Sequence, residues 1–306
     1  MSNSVFAPRH VYFPANEHKT TVLFLHDRNS TGPELADCLA RSLTASGETL
    51  YQHFPSTRWV LPSARAKHFY WTAEDRQQLS QINKDNTTEW FHMPSLTDIQ
   101  LTSSQQLASL QESASYVLRI IDDEIAQVGG DPQKVFLVGI GQGMALGLVV
   151  LLCTHHQLGG FIGLNGWMPF AETLSILLKQ NQVEEAGGFF KSKFIAVAQQ
   201  TYLQQAGAAF PSPQPTTAES TVVVPVHVKH IPVFLSHSQK GTGPIKPELG
   251  IEALRLIEQM GFSQASWKTY PGRDEGEETN ESVFPLDMPE QLRDVIGFFQ
   301  ELRLLS

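Results

Sequence analysis

Short, continuous runs of apolar residues alternate along the chain with segments in which apolar residues recur every three or four positions. The continuous runs lie at residues 21–25, 59–61, 135–138, 161–164 and 233–235. Runs of this length are typical of strands that are buried on both faces. Strands that alternate with helices predict a parallel sheet with helices on both sides. The pattern therefore predicts the α/β class.

The helical segments carry recognisable start signals. Between Leu107 and Ile125 the apolar residues repeat with helical spacing, after a capping box formed by Ser103 and Gln106. Pro33 is predicted to begin a helix, because its missing N–H is not needed in a first turn. Further helices are predicted at residues 144–153, 248–260 and 289–302.

Two stretches are too long and too polar to be simple connections. Residues 67–101 are polar and irregular, and residues 205–225 are rich in Pro, Ala, Thr and Gln. Loops of such length are usually lids or binding loops. We expect a single α/β domain over residues 1–306, with loop elaborations near 67–101 and 171–230 and no internal repeat.

Composition and charge narrow the set of partners. Hydrophobic residues make up 41% of the chain, which excludes global disorder. The 31 Asp and Glu residues outnumber the 22 Lys and Arg residues, for a formal net charge of −9 with histidines neutral, so no nucleic acid is expected as a partner.

Cys38 and Cys153 are too few for a disulfide framework or a cysteine zinc site. The pair His155-His156 has no matching third ligand in the sequence, so no metal site is predicted.

One apolar stretch, residues 135–153, approaches the roughly 20 residues that a membrane span requires. Gln142 and four glycines interrupt it, which favours a buried strand, a glycine turn and a buried helix. The first ten residues lack the apolar core of a signal peptide. We expect a soluble, cytoplasmic protein without a membrane span, and a homodimer is left open.

The most informative segment is the turn at residues 139–143, which reads Gly-Ile-Gly-Gln-Gly between a predicted strand and a predicted helix. Glycines are needed where a turn leaves no room for a Cβ atom. The spacing differs from the Gly-x-Gly-x-x-Gly of dinucleotide sites, and no acidic partner follows about 20 residues later. No cofactor is therefore predicted.

Six segments are similar, in the same order, to motifs of one enzyme family. Residues 23–26 with Thr31-Gly32 are similar to the family's strand and oxyanion loop, residues 90–91 to its Trp-Phe-Asp segment, and residues 139–143 to its Gly-Phe-Ser-Gln-Gly turn. Residues 163–169 are similar to its Leu-Ser-Gly-Trp-Leu-Pro run, residues 231–237 to the strand that enters its acid turn, and residues 270–272 to the segment that precedes its histidine. Together they resemble the acyl-protein thioesterase and phospholipase/carboxylesterase family of α/β-hydrolases, especially its fungal members. The resemblance covers most of residues 20–300. It implies the α/β-hydrolase fold, with a mostly parallel central sheet and helices on both faces.

The resemblance places the three residues of the family's catalytic triad at positions that have changed. The serine nucleophile falls on Gly141, the acid on Gly241 and the histidine on Glu277. All eleven histidines lie at or before His237. A serine esterase needs a hydroxyl, a base within about 3 Å and a group that orients the base. We therefore expect that serine hydrolase activity is absent.

Three polar residues are candidates for a replacement chemistry. Asp27 stands where the family has glycine after histidine; it is a candidate base with a pKa raised by burial, or it caps the following backbone or faces water. His26 is a candidate proton carrier, or a buried histidine bonded to backbone. Glu277 is a candidate acid or base reaching the pocket, or a member of a solvated acidic loop.

The pocket itself is expected to combine polar donors with apolar walls. The backbone around Gln142 and Asp27 is expected to present two N–H donors to a carbonyl oxygen, as an oxyanion hole does. The alternative is that the turn persists only because the fold needs it. The side chains expected to line the old acyl groove, each of which core packing would also explain, are Trp90, Phe91, Trp167 and Met168.

Three functions follow from these candidates. The leading hypothesis is a non-hydrolytic enzyme that guides cyclisation, cycloaddition or isomerisation of an apolar, carbonyl-bearing small molecule, by analogy in fungal specialised metabolism. The second is a catalytically dead acyl- or lipid-binding or regulatory protein. The third is a residual esterase or thioesterase that uses Ser238, or Ser30 near His26; neither serine occupies the turn.

Overall fold

A mostly parallel sheet forms the centre of the computed structural model of the chain. The structure describes residues 6–44, 46–66, 88–93, 95, 98–99, 101, 104–206, 223–239, 245–271 and 289–302. The strands in these ranges are β1 (His10–Tyr12), β2 (Thr20–Leu25), β3 (Thr57–Leu61), β4 (Arg65–Ala66), β5 (Thr88–Glu89), β6 (Val135–Ile140), β7 (Gly160–Leu164), β8 (Val233–Ser238) and β9 (Ala265–Tyr270). Seven of these described strands form one sheet in the order β1-β3-β2-β6-β7-β8-β9. All neighbours in it are parallel except β1, which pairs antiparallel with β3; β4 and β5 form a separate antiparallel pair.

Helices cover both faces of the sheet. They are α1 (Gly32–Arg41), α2 (Leu50–His53), α3 (Ser104–Gln127), α4 (Gln142–Cys153), α5 (Ala171–Lys179), α6 (Val183–Ala206), α7 (Pro247–Gln259) and α8 (Pro289–Glu301). Short 3₁₀ turns lie at Pro132–Lys134 and Val226–His230. Successive side chains of a strand point to opposite faces, so Val22 and Phe24 of β2 pack with α1, α2 and α8. Leu23 and Leu25 pack instead with the larger core formed by α3 to α7.

The α/β class and the buried strands predicted from the sequence are confirmed. Each of the five apolar runs lies within an observed strand, and helices occur at each predicted position, with boundaries that differ by a few residues. Thr31 caps α1 through a hydrogen bond from the Glu34 N–H, with Pro33 in the first turn. Ser103 of the predicted capping box lies outside the described residues.

Several features differ from the sequence prediction. It lacks β1, β4, β5, β9 and the short helix α2; β1, for example, is an edge strand of three partly exposed residues and produces no apolar run. The region near 171–230, predicted as loop elaboration, contains α5 and α6. Gly187 and Gly188 near the start of α6 weaken its helical pattern, yet Phe189 and Phe190 beside them are buried in the core. Residues 67–87 and 207–222, the bulk of the two predicted loops, lie outside the described part.

The junction between β6 and α4 is packed so closely that two of its glycines have no room for a side chain. A Cβ atom on Gly143 would lie 2.3 Å from the carbonyl oxygen of Leu25, and one on Gly139 would lie 2.3 Å from the carbonyl oxygen of Gly143. Helix α4 therefore begins in direct backbone contact with the end of β2. This contact brings the loop after β2 next to the turn.

The long apolar stretch is resolved into β6, the turn and α4, as the sequence predicts. Among the described helices, none combines the length and the apolar character that crossing a bilayer requires.

Gly143→Ala is expected to lower the free energy of unfolding by about 1–3 kcal/mol, because the added methyl overlaps backbone that can move little. Gly297→Ala in α8 is the matched control: among the described residues, no neighbouring atom lies within 4 Å of the point that its added methyl would occupy, and alanine is favoured over glycine in a helix by about 0.5–1 kcal/mol. Urea denaturation of both variants measures the difference. Equal stability of the two variants would contradict the close packing of α4 against β2.

A candidate site at the turn between β6 and α4

The turn between β6 and α4 carries a glycine in a conformation that side chains rarely adopt. Gly141 has φ 53° and ψ −117°, and its N–H donates to the carbonyl oxygen of Leu164 at 2.8 Å. A Cβ atom at this position would lie 2.1 Å from Cγ and from Oδ1 of Asp27. The space in which a residue-141 side chain would begin is thus filled by the carboxyl group of Asp27.

The Asp27 carboxylate also occupies the two backbone donors that the sequence predicts at this turn. Its Oδ1 accepts a hydrogen bond from the Gln142 N–H and another from the Arg28 N–H, both at 2.7 Å. Bonds of this kind to a carboxylate are about twice as strong as those between neutral groups. The structure therefore brings the predicted donors together, but they bind a side chain of the protein itself.

The protonation of Asp27 reflects two opposing effects. Burial raises the pKa of its carboxyl group, whereas the hydrogen bonds from the Gln142 and Arg28 N–H groups and the charge of Arg28 act to lower it; burial dominates. Within the part of the chain that the structure describes, Oδ2 receives no hydrogen bond. Asp27 thus has one oxygen fixed in the turn and one oxygen without a described donor.

His26 is held by both of its ring nitrogens. Its Nε2 accepts a hydrogen bond from the Ala64 N–H at 2.9 Å, so Nδ1 carries the proton and donates to the carbonyl oxygen of Asp27 at 2.6 Å. The residue is fully buried beside the Trp90 ring. Burial lowers the pKa of His26 to about 4. These contacts correspond to the alternative of a buried histidine bonded to backbone, and they favour it over the proton carrier.

The side chain of Gln142 ties the start of α4 to the segment that follows β5. Its Oε1 accepts from the Trp90 N–H at 2.7 Å, and its Nε2 donates to the Phe91 carbonyl oxygen at 2.8 Å. The Trp90 indole N–H donates in turn to the carbonyl oxygen of His26 at 2.8 Å. The start of α4, the loop after β2 and the segment after β5 are thereby linked to one another by hydrogen bonds.

The four apolar residues predicted as groove walls are buried. Trp90 and Phe91 are 0% exposed, and Trp167 and Met168 are 3% and 2% exposed. Phe91 and Trp167 meet edge to face, with ring centroids 6.1 Å apart. They lie together near the turn as expected, but they pack as core side chains.

Of the other positions predicted from the sequence, the structure describes only some. Gly241 and Glu277 lie outside the described residues, so their relation to the turn stays a prediction. Ser238 donates its backbone N–H to Asn165 Oδ1 at 3.0 Å, and the backbone carbonyl of Ser30 accepts from the Thr88 hydroxyl. In the described ranges neither serine hydroxyl is hydrogen-bonded to a histidine.

The sequence analysis missed a buried ionic cluster next to Asp27. Glu89 is 0% exposed, and its carboxylate lies 3.4 Å from Arg28 Nε and 3.8 Å from His92 Nδ1. Arg28 thus joins the Asp27 loop to β5. The one signal for Glu89 in the sequence is that it directly precedes the Trp90-Phe91 segment.

Comparisons with known proteins show which family and which proteins this chain resembles. The family model described as phospholipase/carboxylesterase matches residues 8–185. Carboxylesterase SOBER1 of Arabidopsis thaliana is 29% identical over 161 residues, which cover 51% of this chain and 60% of that protein. Acyl-protein thioesterase 1 of Gibberella zeae is 24% identical over 305 residues, covering 98% of this chain and 97% of that protein. A probable inactive carboxylesterase of Oryza sativa subsp. japonica is 28% identical over 163 residues, covering 51% of this chain and 56% of that protein.

The chain spans only 60% and 53% of the length of the two Arabidopsis carboxylesterases that it matches. The crystal structure of Zea mays acyl-protein thioesterase 2 has a TM-score of 0.58 at 18% identity, over 96% of this chain and 98% of that one. That likeness shows the α/β-hydrolase fold. The matched residues 8–185 include both Asp27 and the turn at Gly141. The chain belongs to the phospholipase/carboxylesterase family of α/β-hydrolases.

Proposed function

We propose that this chain is a non-hydrolysing member of its family, which acts as a binding or regulatory protein and not by cleaving esters. The observation that carries the proposal is the position of Asp27. Its carboxyl group fills the space above Gly141 and accepts the N–H groups of Gln142 and Arg28 through one oxygen.

Ester cleavage by the family's mechanism requires a nucleophile and free donors for the oxyanion. Position 141 offers no hydroxyl, and a substrate carbonyl could reach the two N–H groups only after Asp27 had left them. When ionised, the Asp27 carboxylate would also repel a developing oxyanion. A single donor of this kind contributes about 2.7–4 kcal/mol to an acyl transfer, so the loss of both donors removes most of what the turn could supply.

The buried environment of the site supports the same proposal. His26 is neutral, with both nitrogens engaged, and the side chain of Gln142 holds the backbone of Trp90 and Phe91. These bonds fix the turn as a packed part of the fold. The rice relative whose name calls it probably inactive is consistent with loss of hydrolysis within the family.

A second candidate, a non-hydrolytic enzyme that uses Asp27 as acid or base, is favoured by one specific observation. Burial raises the pKa of the carboxyl group, and Oδ2 has no donor among the described residues. A carboxyl group with a raised pKa suits proton transfer in an isomerisation or cyclisation of an apolar carbonyl compound. Turnover of such a compound that is lost in a folded Asp27→Asn variant would favour this candidate over the binding role.

Covalent labelling tests the loss of hydrolysis directly. The protein is expected to form no adduct with a fluorophosphonate probe by intact-mass spectrometry, and to cleave short-chain esters and thioesters no faster than heat-denatured protein, because the turn carries Gly141 and no serine hydroxyl is bonded to a histidine ring in the part of the chain that the structure describes. An active serine esterase treated in parallel is the positive control. A stoichiometric adduct on any serine, mapped by peptide sequencing, would overturn the proposal.

A double-mutant cycle tests whether the carboxyl group of Asp27 fills the space above residue 141. Gly141→Ala is expected to lower the free energy of unfolding by more in the wild-type background than in the Asp27→Gly background. The difference, which is the coupling free energy, is expected to be about 1–3 kcal/mol, because the methyl and the carboxyl group compete for one volume. Backbone strain at φ 53° remains in both backgrounds and cancels in the cycle. Urea denaturation of the four proteins gives the coupling. Additive effects would contradict the packing of Asp27 over the turn.

The pH dependence of stability tests the environment of Asp27. Since the folded state raises the pKa of this carboxyl group, the native chain holds its proton more tightly than the unfolded chain does. The stability of the wild type should therefore fall, relative to Asp27→Asn, as the pH rises from the ordinary aspartate pKa of about 3.9 through the raised pKa. Asparagine keeps one oxygen to accept the two N–H groups.

Thermal unfolding of both proteins between pH 4 and pH 8 measures this difference. The lowered pKa of His26 affects both proteins alike, because its bond to residue 27 is made through the backbone. A difference in Tm that widens with pH and then becomes constant is expected. A difference that is the same at every pH would show that Asp27 titrates normally.

A further inference from the structure

A second cluster of polar side chains lies at the opposite end of α4 from the turn. His155 and His156 follow directly after α4, and Asp122 projects from α3. One ligand atom from each of the three residues lies within 4.8 Å of the others. The fold thus supplies the third ligand that is absent from the local sequence around the histidine pair.

The three side chains already approach the spacing of metal ligands. His156 Nε2 lies 2.8 Å from Asp122 Oδ1. Around a tetrahedral zinc ion, imidazole nitrogens and carboxylate oxygens bind at roughly 2.0–2.2 Å, which places neighbouring ligand atoms about 3.4 Å apart. Asp122 and His155 are exposed, so their side chains have room to rotate toward a shared ion.

The backbone that carries the two histidines is fixed by hydrogen bonds. The N–H of buried Thr154 donates to the Val150 carbonyl oxygen at 2.8 Å and ends α4, and the His156 N–H donates to the Thr154 hydroxyl at 3.1 Å. His227 Nε2 donates to the carbonyl oxygen of His155 at 2.7 Å. Little backbone ordering is therefore required when a ligand binds, and preorganisation of this kind favours binding.

The charges around the cluster are compatible with a bound cation. Asp122 brings a negative charge to the cluster, and Lys191 and His227 lie close enough to His155 to act on it electrostatically. The negative charge of Asp122 and the formal net charge of −9 favour a cation, while Lys191 opposes one.

We propose that Asp122, His155 and His156 bind a divalent transition-metal ion of the zinc class. Two imidazoles and one carboxylate suit Zn²⁺, Ni²⁺ or Cu²⁺, whereas Mg²⁺ and Ca²⁺ prefer oxygen ligands. Three protein ligands leave a fourth position for water. Helix α4 has 12 residues, so the cluster lies about 18 Å along the helix axis from the turn. The ion would join α3 to the segment after α4, independently of Asp27.

Isothermal titration with ZnCl₂ tests the site on the full chain, purified without a histidine tag and freed of metal with a chelator. One equivalent of Zn²⁺ is expected to bind. A ligand present at about 100 times its Kd stabilises the native state enough to raise Tm by about 5 °C in a chain of this size. MgCl₂ at the same concentration is expected to leave Tm unchanged. Absence of zinc binding, or an equal response to Mg²⁺, would overturn the proposal.

Single substitutions assign the ligands. Asp122→Ala, His155→Ala and His156→Ala are each expected to weaken zinc binding by at least about tenfold, because even residues that only support a metal ligand contribute 10- to 100-fold. The matched control is His53→Ala: the His53 and His156 side chains are both 24% exposed, and His53 also lies near a carboxylate, Glu48, at 3.6 Å. Among the described residues, no second histidine joins that pair to make a three-ligand group.

His53→Ala is expected to bind zinc as the wild type does. Melting curves without metal establish that all four variants are folded. If the three cluster variants bind zinc as tightly as the wild type, the ion is held elsewhere and the assignment is wrong. The same conclusion follows if His53→Ala loses binding to the same extent as the cluster variants.

Discussion

One carboxylate oxygen connects the loop after β2 to the start of α4. Oδ1 of Asp27 accepts the N–H groups of Arg28, in its own loop, and of Gln142, at the head of the helix. Without this acceptor, the first N–H of α4 at a buried helix end would need another partner. The close approach of Gly143 to the Leu25 carbonyl oxygen brings the two segments near enough for the bond to form.

The rest of the site is arranged around that bond. His26, immediately before Asp27, anchors the loop to Ala64 through a neutral ring, and Gln142 anchors the segment of Trp90 and Phe91. The space above Gly141 is thereby filled by a side chain that comes from a neighbouring loop. The same bonds hold the turn in place as part of the fold, independently of any reaction at the site.

The sequence predicted the five central strands of the sheet and most helices, because continuous apolar runs and helical repeats are local signals. It also identified Asp27, Gln142 and Gly141 as the residues of interest. It could not predict that Asp27 occupies the donors itself, because that contact joins residues 115 positions apart and depends on the packing of α4 against β2. The cluster of Asp122 with the histidine pair was missed for the same reason, since α3 and the end of α4 become neighbours only in the fold.

The left-handed backbone of Gly141, directly beneath the Asp27 carboxyl group, also constrains how the protein could change over evolutionary time. A serine introduced at position 141 would meet that carboxyl group, so the Asp27 side chain would have to turn away or be replaced before a hydroxyl could occupy the turn. Substitutions at positions 27 and 141 are therefore coupled, and the effect of either one depends on the residue present at the other.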